Sequence, residues 1–214
     1  MIFDQQAAVK TAKYLLQINA IKLNLENPFV WASGWKSPIY CDNRITLSYP
    51  VIRNYISDQL TLQIKSIYQD EKIIIAGVAT GAIGIGMLVA QKLNLPFVYV
   101  RPEQKRHGKK NQIEGYLPPN SKVVVIEDLI STGKSSLIAV EAIKNEGYDV
   151  LGMLGVFTYG FKIADDNFKK NKIKLNTLSN YDTLISEALS QNIIELDSLT
   201  KLTEWKNSPN SWRV

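Results

Sequence analysis

The sequence predicts an α/β fold, a central and mostly parallel sheet flanked by helices. Three observations lead there. Uninterrupted apolar runs of strand length recur at Lys72–Val78, Pro96–Arg101, Lys122–Glu127 and Val150–Tyr159, and such runs mark strands buried on both faces. Segments of helical spacing separate them, and alternation of strand with helix builds a parallel sheet. Two of the strand ends lead into turns rich in glycine, hydroxyl or acidic residues, and ligands of such sheets bind outside the carboxyl ends of the strands.

The elements follow in order. Gln5–Ile18 places Val9, Ala12, Tyr14, Leu15, Leu16 and Ile18 at helical spacing, an amphipathic pattern. In PFVWASGWKSPIYCDNR, the runs Phe29–Trp31 and Ile39–Cys41 flank a Ser-Gly turn and read as the two strands of a hairpin. Pro50 opens the next helix, where a missing N–H costs nothing. Ile52, Ile56, Leu60, Ile64 and Ile67 continue it along one face. The first core strand, Lys72–Val78, then gives way to the turn ATGAIGIG and a helix through Leu93. After the strand Lys122–Glu127, a turn over 130–135 opens a helix that Gly147 ends as a C-terminal cap. Beyond Tyr159, amphipathic segments run to Asn176 and from Asn180 to Trp205. No repeat, low-complexity stretch or linker divides the 214 residues, so one domain is expected, its core sheet at about 70–160.

Composition limits the function classes. Hydrophobic residues make up 45% and charged residues 21%, a globular balance. A single cysteine, Cys41, excludes a disulfide framework within the chain and suits a reducing compartment. No apolar run approaches the roughly 20 residues that span a bilayer, and the N-terminus lacks a signal peptide's apolar core. A cytoplasmic protein is expected, without membrane association. Most of the net charge of +5 sits in RPEQKRHGKK, residues 101–110. A nucleic-acid binder more often spreads its cations over a face; one concentrated basic loop fits a small polyanion.

The most informative segment is VVVIEDLISTGKSS, Val123–Ser136. Glu127 and Asp128 end an apolar strand, and a loop of Ser131, Thr132, Gly133, Lys134 and Ser135 opens a helix. Unpaired N–H groups and a partial positive charge at a helix N-terminus bind phosphate. Gly133 lets the backbone come close, and the hydroxyls add donors. Paired carboxylates would repel a bare phosphate. They make sense holding ribose hydroxyls, or a metal through water, nearby. A Walker loop does not fit, since the position five before Gly133 is Asp128. Gly77, Gly81, Gly84 and Gly86 do not follow the dinucleotide order either, and they serve helix–sheet packing as well as anion binding. The basic loop, with His107 the chain's one histidine, has the makeup of a lid that closes over an anion.

Together, VVVIEDLISTGKS, the loop RPEQKRHGKKNQIEG and the segment SGWKSPIYCDNR resemble the orotate phosphoribosyltransferases, over roughly 29–159. The resemblance implies a type I phosphoribosyltransferase fold whose small N-terminal hood, within about 1–45, contains the hairpin. It implies transfer of the phosphoribosyl group from phosphoribosyl pyrophosphate to orotate in pyrimidine (UMP) biosynthesis, with Mg2+ bound mainly through substrate and water. The run Glu127, Asp128, Leu129, Ile130, Ser131, Thr132, Gly133, Lys134 and Ser135 would hold the phosphoribosyl group, its 131–135 loop gripping the 5-phosphate. Arg101, Lys105 and His107 would engage the pyrophosphate. Lys105, His107 and Asp128 would be the catalytic residues. Ser131 would also meet orotate, and backbone groups around 36–40 would cover the base. The lid would close over the neighbouring subunit of a homodimer.

The chain departs from the family pattern at four places. Ala32 and Gly81 stand where some members carry lysine, and Pro102 where they carry a second basic residue after Arg101. GVFTYGF lacks the arginine expected to grip the orotate carboxylate. Lys36, Lys109 and Lys110 are the candidates for compensating cations. Three alternatives remain at this level. A phosphoribosyltransferase for another base would usually lack SGWKSP; a non-catalytic regulator would not need the whole lid; a nucleic-acid binder leaves the acid pair unexplained.

Overall fold

The computed structural model describes residues 1–69, 71–103 and 112–212. Its centre is a six-stranded sheet in the order β10-β9-β8-β5-β6-β7, built from β5 (Ile73–Val78), β6 (Phe97–Val100), β7 (Ile113–Glu114), β8 (Lys122–Ile130), β9 (Asp149–Thr158) and β10 (Leu175–Asn180). The first five strands in that order pair parallel, and only β7 runs antiparallel to its neighbour. Every residue of β5 is buried. Its side chains divide by parity, Ile73 and Ile75 entering one core and Ile74, Ala76 and Val78 the other. Val124 and Ile126 of β8 likewise face the first core, and Val123 and Val125 the second. Period-two alternation between two apolar layers is why these runs read as continuous.

Helices α1 (Gln5–Gln17), α2 (Pro50–Ile67), α3 (Ile83–Leu93), α4 (Lys134–Asn145), α5 (Lys162–Lys170), α6 (Tyr181–Ser190) and α7 (Ser198–Asn207) complete the α/β layers. In α1 the stripe Ala8, Ala12, Leu15 is fully buried, and Asp4 caps the helix by accepting from Ala7 N–H at 2.6 Å. Pro50 opens α2 as expected. Gly147, at φ 85°, lies just past the end of α4, where a left-handed residue closes a helix.

Two expectations are corrected. The segment before residue 45 does turn at Ser33–Gly34, but the strands flanking the turn are β2 (Phe29–Val30) and β3 (Lys36–Ser37). Ile39–Cys41 forms β4 and pairs instead with β1, Ile21–Leu23. Pro38 has no N–H to give a ladder, so 36–41 serves as two short strands with different partners. The second correction is β10. The sequence predicts an amphipathic segment running to Asn176 and no strand here, yet Leu175–Asn180 is a strand in which Asn176, Thr177 and Ser179 are buried. Pairing with β9 satisfies the backbone, and Ser179 Oγ donates to Ala8 O at 2.9 Å.

Aromatic side chains join the N-terminal strands to the C-terminal helix. Trp205 of α7 is fully buried among Trp31, Tyr159, Phe161 and Tyr181, with ring centroids 5.3–5.8 Å away. Its indole N–H donates to Lys36 O at 3.2 Å, and that of Trp31 donates to Ile39 O at 3.1 Å. Trp212, 8% exposed, joins the same core. No helix among the described residues is long and apolar enough to cross a membrane.

Candidate active site

The order β8-β5-β6 makes a switch point. From β5 the chain crosses through α3 to β6 on one side, while β8 lies on the other. A crevice opens where the crossovers diverge. It is a cavity of about 350 Å³ walled by the end of β5 and its turn (Val78–Gly81), the end of β8 and its loop (Glu127–Leu129, Ser131–Gly133, Ser135), and Cys41, Asp42 and Arg44.

The acid pair differs from expectation in its setting. Glu127 and Asp128 do not end their strand, because β8 continues in register beside β9 to Ile130. They are therefore held by the sheet rather than by a loop. Glu127 is 4% exposed. One of its oxygens accepts from Asp128 N–H at 3.0 Å and the other from Ser136 Oγ at 2.8 Å. Burial first, and then the charge of Asp128, push the Glu127 carboxyl well above the usual range. Burial also raises Asp128.

Beyond the strand the chain turns through Ser131–Gly133 into α4. Gly133 lies at φ 76°, and a Cβ there would press on the Phe168 ring at 2.8 Å; only glycine suits both. No side chain caps α4, so the N–H groups of its first turn remain available to a ligand. On the opposite wall the Ala79–Thr80 peptide is cis. Gly81 backs directly onto the Asp128 carboxylate, and a Cβ at that position would collide with it. Gly77 and Gly86, by contrast, make room for Phe97.

The third wall is a 3₁₀ helix, Asn43–Ser48, which follows β4. Asn43 is buried, donates Nδ2 to Asp128 O at 2.6 Å and accepts the Cys41 thiol at 3.2 Å. Burial, aided by Asp128 and Asp42, raises the Cys41 thiol well above its usual value. A buried thiol raised in this way is a poor nucleophile, so Cys41 serves as a small packed side chain. Arg44 forks onto Asp42, Nε to Oδ1 at 2.7 Å and Nη2 to Oδ2 at 2.8 Å.

Of the residues singled out from sequence, Glu127, Asp128, Leu129, Ser131, Thr132, Gly133 and Ser135 line this cavity. Ile130 does not: it is fully buried in the second core. Lys134 is exposed and outside the lining. Arg101 lies just past the end of β6, outside the lining, and donates to Glu114 of β7 at 3.4 Å. Lys36 is exposed, away from the lining. Lys105, His107, Lys109 and Lys110 lie outside the described residues. Sequence reasoning missed Asp42, Asn43 and Arg44 as site residues. They stand inside SPIYCDNR, where the sequence reading assigns the hairpin and a cover for the base around 36–40 but no role to these three; an acid and a base two apart beside a turn were the available signal.

The cavity wall offers carboxylate, hydroxyl and backbone groups. Among the described residues no three His, Cys, Asp or Glu side chains converge on a metal site. This oxygen-rich, cage-free donor set fits a hard cation carried largely by phosphate and water.

A phosphate-ready helix end beside a carboxylate pair at a switch point defines a site for a phosphorylated sugar. The phosphoribosyl transferase domain family matches residues 54–180, and the chain belongs to that family. Its branch is evident from full-length relatives. The orotate phosphoribosyltransferase of Cytophaga hutchinsonii is 53% identical over 204 residues, covering 95% of this chain and 97% of that one. That of Porphyromonas gingivalis is 56% identical over 203 residues, covering 95% and 96%. The crystal structure of the orotate phosphoribosyltransferase from Aeropyrum pernix matches with a TM-score of 0.72 at 30% identity, covering 82% of this chain and 96% of that one. Within the larger family, this chain is therefore a member of the orotate phosphoribosyltransferases.

Proposed function

We propose that the chain transfers the 5-phosphoribosyl group of phosphoribosyl pyrophosphate to orotate, giving orotidine 5′-monophosphate and pyrophosphate in pyrimidine biosynthesis. The observation that carries this reading is the single cavity in which the uncapped α4 N-terminus and the Glu127–Asp128 pair face one ligand space. The first suits the 5-phosphate, the second the ribose hydroxyls.

Displacement of pyrophosphate from C1 by the orotate ring nitrogen develops oxocarbenium character, as in sugar transfers generally. The protein contributes position and charge instead of a covalent nucleophile. Ser131, Thr132, Gly133 and Ser135 orient the 5-phosphate, with Ser131 near the base. Asp128 and Glu127 hold the sugar hydroxyls, and the negative charge of the pair favours a cationic sugar. Arg101, with Lys105 and His107 on the lid, meets the charge that accumulates on pyrophosphate. Closure of that lid excludes water from the reactive sugar. Magnesium, when bound, would neutralise the pyrophosphate, and Asp128 would hold it through water. The enzyme works in the cytoplasm as a homodimer that shares its lids between subunits.

The direct test follows orotate absorbance with phosphoribosyl pyrophosphate and magnesium, alongside a chelated control and a panel of purine and pyrimidine bases. Magnesium-dependent loss of orotate alone is the expected result. Consumption of another base in its place would overturn the assignment of substrate, and binding without turnover would overturn the assignment of catalysis.

A further inference from the structure

We propose that Arg44 is a pyrophosphate-binding residue of this site, positioned by Asp42 to meet the leaving group of phosphoribosyl pyrophosphate. The inference rests on the function proposed above and adds a cation that the family resemblance did not supply.

The charge on the cavity wall poses the problem. Its described lining carries three carboxyl groups, Asp42, Glu127 and Asp128, and one cation, Arg44. Phosphoribosyl pyrophosphate brings two anionic groups. The 5-phosphate has the N-terminus of α4. The pyrophosphate, at the other end of a ribose lying over Asp128, falls toward the turn Ala79–Gly81. That turn has no charge of its own. Gly81 abuts the Asp128 carboxylate so closely that no side chain can start there while Asp128 keeps its place. A positive charge on this side must come from a neighbouring element.

The 3₁₀ helix is that element. Asn43 ties it to β8 through Asp128 O at 2.6 Å. Leu47 ties it to the start of α3, its side chain filling the space where a Cβ on Gly84 would stand. Arg44 is thus carried between the acid strand and the glycine turn, and it is close enough to Asp128 for each to stabilise the charge of the other. Its fork onto Asp42 uses two of five guanidinium N–H donors, leaving three for a second anion. Planar, paired donors suit phosphate oxygens. A purely structural purpose explains the pair less well. The Arg44 side chain is 58% exposed, and exposed ion pairs contribute little to stability.

The test compares Arg44→Gln and Arg44→Lys with the parent enzyme. Titration calorimetry measures phosphoribosyl pyrophosphate binding with magnesium and without orotate, and steady-state kinetics gives both KM values and inhibition by pyrophosphate. Expected for Arg44→Gln is a loss of about tenfold or more in affinity for phosphoribosyl pyrophosphate and for pyrophosphate. Its orotate KM should stay within about twofold and its melting temperature unchanged, with Arg44→Lys intermediate. Unchanged affinity for both pyrophosphate ligands overturns the proposal. So does a rise confined to orotate KM, which would assign Arg44 to the base carboxylate. If the parent itself neither binds phosphoribosyl pyrophosphate nor consumes orotate, the proposed function fails first. A normal parent with an indifferent Arg44→Gln removes only this residue's role.

Discussion

Glu127 shows how one side chain can carry both stability and function. It is buried and receives two hydrogen bonds, yet burial and the adjacent Asp128 still favour its neutral form. The folded chain consequently keeps a proton that the unfolded chain loses near the ordinary glutamate value of 4.5. Stability from the neutral carboxyl is complete below that pH and declines as pH rises through the higher folded value. Glu127→Gln, which cannot titrate, should remove this decline. Melting temperatures measured from pH 4 to 8 should therefore show the parent's advantage over the variant shrinking as pH rises. A constant offset across that range would mean Glu127 ionises normally in the folded protein.

At the scale of elements, the site depends on how the 3₁₀ helix Asn43–Ser48 is fastened to β8. Asn43 serves two buried partners, donating to the Asp128 carbonyl and accepting from the Cys41 thiol. Leaving buried polar groups unpaired costs about 1–3 kcal/mol. Asn43→Ala should lower the stability measured by urea unfolding by that amount. It should also weaken phosphoribosyl pyrophosphate binding, since the wall bearing Arg44 loses its tie to the acid strand. An unaltered urea midpoint would show that the contact is dispensable.

For the whole molecule, the testable issue is whether one polypeptide completes the cavity. The proposed dimer supplies the basic loop, with Lys105 and His107, from the neighbouring subunit. Asp128→Asn and Lys105→Ala should each be inactive alone. Co-refolded in equal amounts, they should regain about a quarter of parent activity, since half the dimers are mixed and each of those has one intact site in a twofold assembly. Activity staying at the level of the single variants after mixing would place each lid over its own subunit's site.

Much of the fold and part of the site were legible in the sequence. Helices α1, α2, α3 and α4 and strands β5, β6, β8 and β9 announced themselves because their apolar spacing is local. The Ser131–Ser135 loop did so because a phosphate-binding helix end is a contiguous feature. What stayed hidden depends on partners distant in the chain. The polar residues of β10 become a strand only against β9, and Ile39–Cys41 leaves its hairpin neighbour for Ile21–Leu23. The sequence by itself determined a parallel α/β sheet, the acid pair and the phosphate loop, since short-range pattern and residue chemistry suffice for these. Only the tertiary structure decided that burial raises the Glu127 carboxyl, that Gly81 must be bare and that Arg44 faces the ligand space. Each of those follows from burial or contact between segments that the chain order keeps apart.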